Sequence, residues 1–242
     1  MKTIINIKTG LLAVATMAAF ALLPESARAD VYWNGSVSSS WSNPANWTGG
    51  LPSGGGAGNA VINPGTPFAT PVVSTAGNAT LGQLYISIAA GLSVVSGGQL
   101  SIGSDLITGN WGNSGAVNVS GGSLSINGLL NMGAGVHGDG DLIISAGTVN
   151  AGSLSINTTG GASMDLSGSG SFITAASQLG NVNYWIANNA ITANGGLGTV
   201  HVDSISQPGS IVLTVEAIPE PSTMVLAIAG GAAVLFLRRR HR

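Results

Sequence analysis

The sequence predicts an all-β chain whose centre is a right-handed parallel β-helix-like solenoid with rungs of about 24 residues. Three observations carry that expectation. A serine before a glycine or alanine recurs at nearly equal steps as Ser96, Ser120 and Ser145, and an apolar residue recurs with it as Leu100, Leu124 and Val149. Between these marks lie short runs that alternate apolar and polar, such as Val117–Val119 and Leu124–Ile126, and alternation at period two is the pattern of a strand. Glycine and asparagine separate the runs and supply corners with positive φ. One such unit cannot bury its own apolar face, whereas stacked copies can. The alternative is a β-sandwich built from hairpins; it needs no fixed period, and the repeated marks favour the solenoid.

Composition and charge narrow the classes of function. Of 242 residues only 7% are charged, cysteine is absent and glycine numbers 38. No disulfide, thiolate chemistry or cysteine-based zinc site can be built. The seven basic residues are Lys2, Lys8, Arg28, Arg238, Arg239, Arg240 and Arg242, all near the two ends. From residue 30 to 216 there are seven acids and no lysine or arginine, a formal charge of −7. A body without cations cannot neutralise phosphates, so nucleic acid is not an expected partner.

Residues 1–29 read as a secretory signal peptide. Lys2 and Lys8 form a positive start, Leu11–Leu23 is an apolar stretch, and Ala27 and Ala29 place small residues at a cleavage site. Residues 30–91 form a tryptophan-rich cap with first strands, and Trp33, Trp41 and Trp47 stand at spacings of eight and six. Residues 92–180 are the repeat solenoid; a weaker fourth copy, "MDLSGSGSFI", starts at Met164 and puts Ser167 a slightly shorter step beyond Ser145. Residues 181–216 are expected to be closing strands, from "NVNYWIANNAIT", "GTVHVDSI" and "SIVLTVEA".

Residues 217–242 are different in kind. Pro219, Glu220 and Pro221 precede an unbroken apolar run, Met224–Leu237, and then Arg238, Arg239, Arg240 and Arg242. As a helix that run spans roughly 21 Å, against a hydrocarbon core of about 30 Å. One more turn and snorkelling arginines let it act as a transmembrane helix, with the basic cluster as a cytoplasmic stop. The order of tripeptide, apolar run and terminal arginines resembles the PEP-CTERM sorting signal of Gram-negative bacteria. The resemblance implies that an exosortase-type membrane protease recognises the tripeptide and removes the tail. Prolines disfavour helix in the residues before them, so Ile218 and Glu220 should be extended, as a protease cleft requires. The opening segment "WNGSVSSSWSNPANWTGG" is similar to that of many PEP-CTERM and autotransporter-passenger-like β-helix proteins. That likeness implies a cap in which the tryptophans cover the first rung. The alternative is a carbohydrate platform of exposed Trp33, Trp41 and Trp47.

No catalytic residues and no cofactor are assigned. "HGDGDL" places Asp139 and Asp141 together, a surface turn or at most a weak calcium site, since neither neighbouring repeat has matching aspartates. Asp105, Asp139 and Asp165 lie in adjacent repeats, and a solenoid could align them on one flank for glycoside hydrolysis. A body without lysine or arginine has no cation to stabilise an anionic intermediate, so no enzyme is expected. The five sequons, at Asn34, Asn46, Asn78, Asn118 and Asn157, read as asparagine-rich turns. The function expected is that of an exported structural or adhesive protein of the cell surface or exopolysaccharide matrix. A carbohydrate-binding module is the alternative, and a polysaccharide-degrading β-helix enzyme stands third.

Overall fold

Alternating apolar residues become the inward rows of a parallel β-solenoid in the computed structural model, which describes residues 29–52, 58–63, 69–76, 78–110 and 112–216. The stretch expected to be a signal peptide, with Ala27, and the sorting tail with Pro219, Glu220, Pro221 and the four arginines, lie outside the described residues; Ala29 is described and exposed. The strands are β1 (Val31–Trp33), β2 (Trp47–Thr48), β3 (Ala60–Ile62), β4 (Val72–Val73), β5 (Asn78–Leu81), β6 (Leu84–Ile86), β7 (Ala90–Val95), β8 (Gln99–Ile102) and β9 (Leu106–Thr108). They continue as β10 (Ser114–Met132), β11 (Asp139–Ile156), β12 (Ser163–Leu166), β13 (Ser171–Ala175), β14 (Ile191–Ala193), β15 (Val200–Asp203) and β16 (Ser210–Val215), with a helix α1 (Leu179–Ala187) before β14.

The strands stack into three parallel faces. The first runs β1, β3, β6, β9 and then the last part of β10 and of β11. The second runs β4, β7, the first part of β10 and of β11, β12 and β14. The third runs β5, β8, the middle of β10 and of β11, and β13. β10 and β11 are long because each passes through all three faces of its rung, bending where the register shifts after Val119 and Ile126. Consecutive faces are joined within one rung, while hydrogen bonds run between rungs. A β-sandwich of hairpins is therefore not what forms.

The predicted equivalences hold in register. Leu100, Leu124, Val149 and Phe172 pair one above another on the third face, and all four are buried. On the second face Leu92, Val117, Leu142, Met164 and Ile191 form an inward row. Each such side chain contributes about 1.5–3 kcal/mol by leaving water, and the rows merge into one continuous core. The recurrent glycines have a steric reason: a Cβ on Gly122 would lie 2.6 Å from the carbonyl oxygen of Gly98, and one on Gly147 would lie 2.1 Å from that of Gly122.

Two expectations about boundaries are corrected. The solenoid does not begin at residue 92: the first face already starts at Val31, paired with Ala60, which pairs with Leu84 and so on to Leu106. These early rungs lack the serine–glycine mark and the first contains the tryptophan excursion, which hides their repeat. Residues 181–216 are not all closing strands, because α1 occupies Leu179–Ala187. Leu179, Val182 and Ile186 recur at helical spacing; Val182 is buried with Trp185, and Leu179 and Ile186 pack against the same core. β14, β15 and β16 do form. β16 pairs antiparallel with β13 and β15 antiparallel with β16, which ends the parallel stack on the third face.

Candidate functional site

The three tryptophans form one edge-to-face cluster. Trp33 and Trp47 have centroids 5.1 Å apart at 78°, and Trp41 and Trp47 4.8 Å apart at 74°. All three rings are buried, so the exposed sugar platform of Trp33, Trp41 and Trp47 is not present. Two of the polar edges are spent inside: the Trp33 Nε1–H donates to the Ala69 carbonyl at 2.8 Å, and that of Trp47 to the Trp41 carbonyl at 2.9 Å. An indole with its N–H satisfied is a large apolar body, and it belongs in a core. The buried Asn46 fastens the excursion: its Oδ1 accepts from the Val37 and Ser38 amides, and its Nδ2 donates to the Ser38 hydroxyl and the Ser40 carbonyl. That residue cannot also carry a glycan.

Asp105, Asp141 and Asp165 act as fasteners, and Asp105, Asp139 and Asp165 do not align on one flank. Asp105 precedes β9 on the first face, whereas Asp139 and Asp165 lie on the second. Asp105 accepts from the Leu129 amide at 2.8 Å and from the Gln83 Nε2 at 3.0 Å. Asp165 accepts from the Thr192 hydroxyl and the Gly195 amide, both at 2.8 Å. Asp141 accepts from the Ser163 hydroxyl at 2.7 Å. Burial, and then the charge of Asp141, raise the pKa of Asp139. Among the described residues no three histidine, aspartate or glutamate side chains gather as a metal site. His137 sits in a turn at φ 59°, and His201 is on β15, where it is exposed.

Register reveals an outward row that the sequence did not. On the first face Thr48, Tyr32, Val61, Tyr85, Ile107, Asn131 and Ser155 follow one another across neighbouring strands. Tyr32 is 49% exposed. The Tyr85 hydroxyl is held by donation to Gln83 Oε1 at 2.6 Å, and Gln83 in turn donates to Asp105. Only the order of strands brings Tyr32 within two rungs of Tyr85, which lies far along the chain.

The described chain ends at Glu216, whose amide donates to the Thr199 carbonyl at 2.9 Å. No helix among the described residues is long and apolar enough to cross a membrane. The described body is a parallel β-solenoid, and a tail, residues 217–242, follows its last strand in the sequence. That tail is a PEP-CTERM protein-sorting motif: residues 217–240 match the family model of that description. The motif implies export, membrane-associated sorting and processing by exosortase, a membrane enzyme. No curated protein and no solved structure matches the chain.

Proposed function

We propose that the protein is an exported, non-enzymatic structural or adhesive component of the cell surface or exopolysaccharide matrix, released there once its tail is processed. The observation that carries this reading is the outer surface of the solenoid. Its third face presents Gln99, Ser123, Thr148, Ser171 and Thr214 in one row and Ser101, Ser125 and Asn150 in another. Repeated hydroxyls and amides with no lysine or arginine from residue 30 to 216 suit hydrogen bonding to an uncharged polymer, and repel a polyanion. The aspartates support a non-enzymatic reading, because Asp105, Asp141 and Asp165 are each engaged in holding neighbouring rungs or loops.

The row of Tyr32, Val61, Tyr85 and Ile107 favours a second reading, a neutral-carbohydrate platform that replaces the buried tryptophans with two tyrosines. Co-sedimentation with purified matrix polysaccharide tests both. Retention of the wild-type protein supports the matrix role, and its absence contradicts it. Loss of retention in the Tyr32→Ala/Tyr85→Ala variant assigns the contact to that row; unchanged retention leaves it to the hydroxyl faces. Release of sugar ends that stops on Asp105→Asn would make the protein an enzyme.

A further inference from the structure

Two large aliphatic side chains stand almost fully in water, Leu197 at 91% and Ile205 at 89% exposure, and both lie in loops of the last layer. Neither is presented by a loose loop. After β14 the residues Asn194, Gly195 and Gly196 have φ of 52°, 64° and 84°. The Gly195 amide donates to Asp165, and the Gly196 and Gly198 amides donate to the Ala193 carbonyl at 3.1 and 2.8 Å. Leu197 is the tip of that turn. Ile205 follows Asp203, whose Oδ1 accepts from the Ile205 amide at 2.8 Å and the Ser206 amide at 3.0 Å. Tyr184, on the helix that packs against β14, is also more than half exposed.

The chain leaves the body beside the first of these tips. Glu216 is bonded to Thr199, close in sequence to Leu197. The apolar run begins soon afterwards, at Met224. The connecting stretch of about eight residues, fully extended, reaches no more than about 29 Å. While the tail is in the bilayer, this end of the solenoid must therefore stay close to the lipid surface.

We propose that the last layer is a membrane-facing surface: Leu197 and Ile205 dip into the boundary between headgroups and acyl chains as long as the tail tethers the body. The partner is the bilayer itself, engaged by apolar contact, since no lysine or arginine from residue 30 to 216 can attract anionic lipid. Two side chains are too few to hold a body of charge −7 on a membrane alone; the tether supplies the missing effective concentration. The contact thus orients the body while Pro219, Glu220 and Pro221 await the protease, and it lapses when the tail is cut. The inference rests on the tail residing in the bilayer.

The test uses the full chain in phosphatidylcholine vesicles containing lipids with a quencher in the acyl chain. The chain has no cysteine, so single sites can be labelled with a fluorescent dye: Leu197→Cys, Ile205→Cys, Val37→Cys, Val136→Cys and Val234→Cys. Val37 and Val136 are 63% and 68% exposed and lie away from the last layer. The expected result is quenching at positions 197 and 205 at least twofold stronger than at 37 and 136, together with strong quenching at 234. Equal quenching at 197, 205, 37 and 136 with strong quenching at 234 overturns the membrane-facing surface and leaves the tether intact. Weak quenching at 234 overturns the tether and the inference with it. A dye at 197 that enters an apolar environment without vesicles would instead show pairing of two copies, and would also overturn the inference.

Discussion

Replacing Gly147 with alanine separates two reasons for a glycine at a solenoid corner. Gly147 has φ +87°, and an added Cβ would sit 2.1 Å from the carbonyl oxygen of Gly122 on the preceding rung. Gly209 has nearly the same φ, +83°, but an added Cβ would meet nothing within 4 Å. Positive φ alone costs a residue with a Cβ roughly 1–2 kcal/mol, so that is the loss expected for Gly209→Ala. At Gly147 the obstacle is backbone, which cannot swing aside as a side chain could. Overpacking of this kind adds about 1–3 kcal/mol, so Gly147→Ala should lose about 2–5 kcal/mol. Gly180 provides the opposite control: it lies in α1 with open space around it and no positive φ, and alanine there should gain up to about 1 kcal/mol. Unfolding in denaturant, read as midpoint at constant slope, gives all three values. Equal losses at Gly147 and Gly209 would refute the claim that rung-to-rung approach selects the corner glycines.

Three further outcomes are expected. Thr108 and Thr174 are buried with hydroxyls that find no partner among the described residues, so Thr108→Val or Thr174→Val should each stabilise by about 1 kcal/mol and raise Tm by about 2–4 °C in a scanning calorimeter; a fall in Tm would mean the hydroxyl is satisfied. Leu124 is buried between Leu100 and Val149, and Leu124→Asp should destabilise by at least about 4 kcal/mol; a variant that melts like the wild type would contradict the register. The carboxyl of Asp203 is held down to about 2, chiefly by the hydrogen bonds from Ser206 and then by that from the Ile205 amide. Its contribution to stability is present above the unfolded value near 3.8 and is lost as pH falls through about 2. Asn in its place keeps an acceptor but does not titrate, so Tm should fall less steeply from pH 4 to pH 2 in Asp203→Asn; identical slopes would contradict the assignment.

How much of this is legible in the sequence follows from which features act locally. The rungs from Ala90 onward are readable because corner glycines must recur wherever backbone meets backbone, and Leu100, Leu124 and Val149 must recur wherever the core is one row deep. The rungs before them are not, because β1, β3 and β6 are very short and their corners carry no common mark. α1 reads as a strand because "NVNYWIANNAIT" alternates as well as a strand would over short stretches; its place against the end of the core decides the matter. Burial of the tryptophans cannot be told from exposure by their spacing, since the same amphipathic ring serves both. The Tyr32–Tyr85 row and the exposed tips at Leu197 and Ile205 depend on strand order and loop geometry, and no local pattern announces either. The sorting tail, by contrast, is wholly legible, because its signal is a linear order of residue types.

The PEP-CTERM motif at residues 217–240 implies export and processing by exosortase, so the mature chain should lack the tail. Intact-mass spectrometry of the protein recovered outside cells that contain the processing enzyme tests this most directly. The expected mature chain ends in the region of Pro219–Glu220–Pro221 and lacks the apolar run from Met224 and the arginines beyond it. The same measurement on a variant with Pro219, Glu220 and Pro221 changed to alanine should find the full tail, in the membrane fraction. A wild-type mature chain that still ends at Arg242 would rule out exosortase processing and leave the tail a permanent anchor.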